Sequence, residues 1–224
     1  MTTRPRALLF DFDGLILDTE WPIYESYVLL YREHGHELSL ETYVQCIGSD
    51  FQSWSPEEHL ESLTGRNFDW PTINESRNRW IREELANYSP FPGITASLEV
   101  VERTGLRTAV VSSSSHHWVD GWLDHHDLAG RFEGTICRGD APRIKPAPDL
   151  YLEAARQLEV EPTECLVIED SHNGMRAAHE AGMTVWAIPN RITAVSDFSA
   201  AAKVLRSAEH LAEALEELAP LPKA

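Results

Sequence analysis

The sequence predicts an α/β protein: a parallel sheet with helices on both faces and an all-helical insert after the first strand. Three observations predict it. Short apolar runs at 7–10, 106–112, 165–168 and 184–188 alternate with stretches of helical period, the pattern of strands joined by crossover helices. Residues 19–88 carry helical periodicity throughout and no strand pattern. The runs at 7–10, 106–112 and 165–168 end in polar clusters, and an open α/β sheet binds its ligands outside the carboxyl ends of its strands.

The first run, ALLF at 7–10, is uninterrupted, as in a short strand buried on both faces. It leads into Asp11, Phe12, Asp13 and Gly14. Alternation points both carboxylates one way and Phe12 the other. Two like charges held that close call for a cation between them, and a divalent metal with oxygen ligands is the simplest. The bland alternative is an Asp-x-Asp turn that caps or is solvated.

Helices are expected over 21–31, ended by Gly35; from Ser39 or Thr42 to about Ile47, stopped at Gly48; from Ser55 to near Gly65; and over 72–87. Ser55 followed by Pro56 is a strong start, a capping hydroxyl with proline in the first turn. Pro90, Pro92 and Gly93 then punctuate, and the period changes. A helix over 94–104 leads to the strand 106–112, a helix over 116–126 to a short strand at 134–137, and a helix over 148–158 to the strand 165–168. A helix over 173–181 is stopped by Gly182 before the strand 184–188. A last strand at 203–205 and a helix over 208–218 complete the sheet and its cover, and the Ala/Pro-rich tail is expected to fray. The domain organisation expected is a core of 1–18 with 89–224, and an insert of 19–88.

The 224 residues suffice for one sizeable core with a small insert, and 42% hydrophobic with 25% charged residues is ordinary globular composition. A net charge of −17 leaves no basic face for nucleic acid. It does not exclude a phosphorylated substrate, because a metal and one Lys reverse the field locally. No apolar run is long enough to span a membrane, and the N-terminus enters the first strand directly, leaving no room for a signal peptide. The expectation is a soluble cytoplasmic protein, with nothing in the sequence that calls for more than a monomer. Cys46, Cys137 and Cys165 are odd in number and widely spaced, so they are expected as reduced packing residues, not as a disulfide framework or zinc site.

Three further clusters follow strand ends. Ser112, Ser113, Ser114 and Ser115 offer hydroxyl and backbone donors to an anion near a helix start, although one of them serves equally as a plain N-cap. Lys145 stands before Pro146 and Pro148, which fix the backbone around it; alone, it reads as an exposed Lys in a Pro-rich loop. Glu169 and Asp170, with Gly174 after them, repeat the acidic strand end and give a divalent metal further oxygen ligands.

In order and placement, DFDGLILDT, VVSSSS, KPAPDLY and VIEDSHNG resemble the four motifs of the haloacid dehalogenase superfamily, specifically its phosphatase-like members with a helical cap after the first strand. The resemblance covers nearly the whole chain and implies a Rossmann-like core. It implies that Asp11 is the nucleophile that forms an aspartyl-phosphate, and that Asp13 is general acid and then general base. Ser112 and Lys145 would hold the transferring phosphoryl oxygens. Mg²⁺ would be bound by Asp11, the backbone carbonyl of Asp13 and Asp170, with Glu169 close by. The substrate implied is a small phosphorylated metabolite, a sugar or polyol phosphate, and Ser113, Glu20 and His116 are the candidates for contacting it. The cap would open and close about linkers near 18–19 and 88–93.

The resemblance also separates hydrolase from mutase. Mutases of the β-phosphoglucomutase type carry a His four residues after the DT pair, where this chain has Ile23. They also carry an Arg in the cap loop, and the loop 46–54 here holds neither Arg nor Lys. A hydrolase is favoured, with the phosphomutase as runner-up and a non-catalytic binding relative as the alternative of another class. Trp21, Trp54, Trp70 and Trp80 read as packing of the insert, with Trp54 the one placed to face a substrate. His116 with His117 and His125 with His126 read as surface residues, since adjacent helical positions face apart. Glu20 is either a helix N-terminal charge or a polar contact in the cleft.

Overall fold

The computed structural model of the chain describes residues 4–47 and 54–218. Six parallel strands form one sheet: β1 (Ala7–Phe10), β2 (Arg107–Val111), β3 (Thr135–Ile136), β4 (Cys165–Glu169), β5 (Thr184–Ala187) and β6 (Lys203–Val204), in the order β3-β2-β1-β4-β5-β6. β1 pairs with β2 on one side and β4 on the other, which sets Phe10 level with Val110 and with Ile168. The order runs outward from β1 in both directions, so the connections reverse there. The carboxyl ends of β1, β2 and β4 therefore open a crevice, the place where such sheets take ligands.

Side-chain alternation divides the core into two layers. Leu8 and Phe10 pack with Val110, Ile168 and Trp186 under α5 (Ile94–Thr104), α6 (His116–His125) and α9 (Leu211–Leu218). Ala7 and Leu9 face the other way, with Ala109, Val111, Val167 and Val185, against α7 (Asp149–Gln157) and α8 (His172–Glu180). Cys46, Cys137 and Cys165 are free and buried.

Between β1 and α5, the described residues hold helices and no strand: α1 (Glu20–Glu33), α2 (Leu40–Tyr43), α3 (Pro56–Thr64) and α4 (Trp70–Leu85). They have a cluster of their own around Tyr27, Leu30, Tyr31, Tyr43 and Leu60, against which Trp54 and Trp70 pack. The end signals act as the sequence predicts: the Ser55 hydroxyl accepts from the backbone N–H of Glu57 and Glu58, and Gly65 closes α3 in the left-handed region at φ 66°. α4 begins at Trp70 instead of 72 because the Asp69 carboxylate accepts from the N–H of Thr72 and Pro71 occupies the first turn. The expected helix reaching Ile47 is shorter, α2 followed by a 3₁₀ turn over Val44–Cys46. The expected stop at Gly48 and the fraying tail lie outside the described residues.

Each of the two linkers is tied to the core. Arg191, after β5, pairs with Asp18 at 2.7 Å and lies 3.8 Å over the ring of Trp21, and Phe91 donates its backbone N–H to Ile16. Ile81 and Leu85 of α4 join the core layer beneath α6, so the insert rests on the crevice and roofs it.

Candidate active site

The crevice holds a cavity of about 520 Å³ walled by the strand ends on one side and by α1, α3 and α4 on the other. Lys145 is the centre of the sheet-side wall. Its buried ammonium donates to Asp11 Oδ1 at 2.5 Å, to Glu169 Oε1 at 2.7 Å and to the carbonyl of Val111 at 2.8 Å. Burial opposes its charge, but Asp11 and Glu169 outweigh that and hold the ammonium well above the usual lysine range. The expectation of a held Lys is met, and the exposed-loop alternative is excluded.

Glu169 is fully buried and its carboxylate is committed to protein donors. Oε1 also accepts from the Tyr151 hydroxyl, and Oε2 accepts from the backbone N–H of Asp170 and Ser171 and from the Ser171 hydroxyl. It is seated on the first turn of α8, where the N–H groups point outward and favour negative charge. Gly174 makes that possible, because a Cβ there would overlap the carboxylate. Asp170 accepts at Oδ2 from the Asn190 side chain at 2.7 Å, and the same amide donates to the Gly14 carbonyl at 3.0 Å. Gly14 has φ +83°, and a Cβ on it would lie 2.6 Å from both Asn190 and Asp170. Only glycine passes the chain through this gap.

Carboxylate oxygens of Asp11, Glu169 and Asp170 lie within 4.8 Å of one another. Burial pushes the Asp11 and Asp170 carboxyls up, and their neighbouring acids add to it. Asp11, Asp13, Glu169 and Asp170 are four acids around one ammonium, and among the described residues Lys145 is the one cation that touches them. A hard divalent cation with oxygen ligands fits this group, in charge and in donor type.

Asp13 faces the same cleft as Asp11, while Phe12 is buried in the core layer, as alternation predicts. The Asp13 side chain stands apart from the metal-type cluster and is held by four donors. Thr19 and the Trp118 indole donate to Oδ1, each at 2.8 Å; Ser112 and Ser114 donate to Oδ2 at 2.9 and 2.7 Å. Ser112 also accepts from the backbone N–H of Ser114. The serine cluster thus serves the acid, and α6 has no side-chain cap bond at Ser115. Ser113 lines the cleft, but its hydroxyl is buried with no partner among the described residues.

Glu20 lines the cleft at the start of α1. Burial, with Asp13, Asp11 and Asp18 nearby, pushes its carboxyl up to about 8. This favours the polar-contact reading over the helix-end charge. The insert adds a wall that the sequence reading missed. Arg77 lies 3.4 Å over the Tyr27 ring and donates to Ser26 and to Asn74, while Glu57 accepts from Asn74 and Tyr27. The cation absent from the sequence of the loop 46–54 comes instead from one face of α4.

Three expectations are corrected. His116 is drawn outward from the serine cluster by two carboxylates, with its ring nitrogens 3.0 Å from Asp120 and 2.8 Å from Asp140. It lines a separate hollow with Arg82 and His125. Trp54 packs on the insert's own cluster against His59, and the tryptophan that reaches the site is Trp118. His125 and His126 also do not face apart: their rings meet edge to face at 4.8 Å beside Trp122, because His126 has left the helix as its C-cap.

The architecture defines the class: a doubly wound α/β protein whose parallel sheet carries, at its switch point, acids clamped on a buried Lys. The chain belongs to the haloacid dehalogenase-like hydrolase family, whose model matches residues 8–188. It is 38% identical over 188 residues to "Putative phosphatase YhcW" of Bacillus subtilis, covering 84% of this chain and 85% of that protein. It is 28% identical to fructose-1-phosphate phosphatase YqaB of Escherichia coli, covering 82% of this chain and 96% of that one. A haloacid dehalogenase family hydrolase from Deinococcus radiodurans, solved with bound phosphate and sodium, superposes with a TM-score of 0.79 at 27% identity, covering 99% of both chains. Among the described residues no helix is long and apolar enough to cross a membrane.

Proposed function

We propose that this protein is a magnesium-dependent phosphatase that hydrolyses a small sugar or polyol phosphate through a phosphorylated Asp11. The observation that carries this reading is the pairing of Asp11 with Lys145 at 2.5 Å while Asp13, two residues on, is held apart by its own four donors. One carboxylate is clamped on a buried cation, and the other is free of that cation and faces the same cleft.

The chemistry assigned to each group follows. Phosphoryl transfer needs positioning and neutralisation of charge above all. Lys145 screens Asp11 so that its carboxylate can approach a phosphate dianion and attack phosphorus. Asp13 donates a proton to the departing alkoxide and then takes one from the water that attacks the aspartyl-phosphate. Ser112 and Ser114 hold Asp13 between these steps, and their hydroxyls can turn to the phosphoryl oxygens. Asp11, Asp170 and the backbone carbonyl of Asp13 would hold Mg²⁺, which supplies the positive charge that one Lys does not. Glu169 acts behind them by fixing Lys145. The helical insert excludes water and meets the leaving group with Glu57, Asn74 and Arg77. A mixed set of acceptors and donors suits a hydroxylated leaving group. Ile23 lines the cleft as an apolar side chain where a mutase of the related type has His, which supports hydrolysis over transfer.

Phosphate release from a panel of phosphate esters tests this, with Mg²⁺ and then with EDTA, on wild type and Asp11→Asn. The expected result is metal-dependent release from one or a few sugar or polyol phosphates, lowered by at least about 10³-fold in the variant. A folded wild type that releases phosphate from none of them overturns the reading.

A further inference from the structure

Trp118 stands in the first turn of α6, at the edge where the sheet-side wall meets the insert. Its indole N–H donates to Asp13 Oδ1 at 2.8 Å. On its other side Arg82 of α4 lies over the ring, 5.3 Å from its centre, and Trp122 packs edge to face at 5.9 Å. One side chain therefore touches both the acid of the core and a cation of the insert.

The four donors on Asp13 are chemically unequal. Those from Ser112, Ser114 and Thr19 are hydroxyls, which donate or accept and rotate freely about their C–O bonds. The indole N–H can only donate, along a direction fixed by a ring that is packed on both sides. When the two serines turn to phosphoryl oxygens, Oδ2 loses both of its listeners in the protein, and the hold on Oδ1 is what keeps the carboxyl aimed. We propose that Trp118 is the positioning residue for Asp13, and that Arg82, seated on its ring, makes this hold depend on the insert being closed over the cleft. The inference rests on the phosphatase reading above, because aiming Asp13 matters only if Asp13 moves a proton to the leaving group.

Trp118→Phe keeps most of the ring and removes the N–H. The expected result is a fall of about 10-fold in kcat/KM for an alkyl phosphate, whose leaving oxygen needs a proton. For 4-nitrophenyl phosphate, whose leaving group departs without one, the change is expected to stay under about 3-fold. In an Asp13→Asn background the same substitution should cost nothing further on either ester, since paired positions lose additivity. Equal losses on both esters, or an undiminished loss in the Asp13→Asn background, overturn the proposal in favour of plain packing. If melting curves show Trp118→Phe unfolded, Arg82→Gln decides. A loss of about 2- to 3-fold confined to the alkyl ester supports the link, on the scale of an exposed cation–π contact, and an unchanged ratio overturns it. Wild type inactive on every ester of the panel overturns the phosphatase reading and this inference with it, whereas an active wild type with an unaltered Trp118→Phe ratio overturns the inference alone.

Discussion

The two walls of the cleft are built to different standards. On the sheet side, Asp11, Ser112, Lys145, Glu169 and Asp170 are all buried, and Lys145 and Glu169 between them have seven hydrogen-bonded contacts, each of 2.5–3.1 Å. On the insert side, Glu57, Asn74 and Arg77 are only half-buried and are tied to one another and to Ser26 and Tyr27 of α1. A charge buried without a partner is expensive, so the sheet-side groups are fixed by one another and by backbone groups at the ends of β2 and β4. Half-exposed polar groups cost little to rearrange. On the function proposed above, the reaction is the work of the tightly bonded wall, and the choice of leaving group is left to the half-exposed one.

The largest expected effect comes from breaking the rigid wall at its centre. Lys145→Met removes the ammonium shared by Asp11 and Glu169 and leaves two buried carboxylates facing each other. Activity should fall by at least about 10²-fold, and stability by about 3–5 kcal/mol, the cost of leaving buried partners of an ion pair unpaired. Denaturant titration in EDTA, beside turnover with Mg²⁺, measures the two losses separately. A variant as stable as wild type would mean that water or other groups already compensate the acids, and the contrast between the walls would fail.

The same contrast decides what the sequence could show. The sheet-side wall was legible because its residues cluster at strand ends: an apolar run followed by Asp11 and Asp13, another followed by serines, another followed by Glu169 and Asp170. Strand period fixes which of them face one way, so their convergence could be read without coordinates. The insert's wall is assembled from Tyr27, Glu57, Asn74 and Arg77, single polar positions on three helices, and nothing in local period says which helix face another helix will meet. Only the i, i+3 spacing of Asn74 and Arg77 hinted at a shared face. His116 misled for a related reason: it follows the serines in sequence, but Asp120 and Asp140 capture its ring, and Asp140 is 24 residues away. Nothing in the sequence marks Trp118, because its role depends on the first turn of α6 meeting Asp13 on one side and Arg82 of α4 on the other.

The adaptable wall is probed by Arg77→Gln. The guanidinium is held by Ser26, Asn74 and the Tyr27 ring, with no carboxylate within ion-pair distance among the described residues. Its remaining N–H groups are available to a ligand. The substitution should raise KM for the preferred sugar or polyol phosphate by about 10-fold, the scale of one hydrogen bond from a charged group, with kcat changed by less than about 3-fold. Steady-state kinetics on that ester separate the two constants. A fall in kcat with KM unmoved would place Arg77 with the reacting groups and blur the division between walls.

Glu20 lies where the walls meet, and its effect should be the smallest. In the folded chain its carboxyl is pushed up to about 8, chiefly by burial and then by Asp13, Asp11 and Asp18, from an ordinary value of 4.5. Between those values the unfolded chain has released a proton that the folded chain still holds. The folded state therefore binds more protons, and stability falls as pH rises from about 4.5 to 8, then levels off. Asp11 and Asp170, also pushed up, act in the same direction in metal-free protein. Glu20→Gln removes one part of that slope. In EDTA the variant and wild type should melt together near pH 5 and separate steadily above it. At pH 8 the variant should be more stable by about 1–2 kcal/mol, a few degrees in Tm, after discounting for water that reaches the cleft. Melting curves across that range check it. A difference that is constant with pH would mean Glu20 ionises normally, with the cleft as open to water at the junction as along the insert.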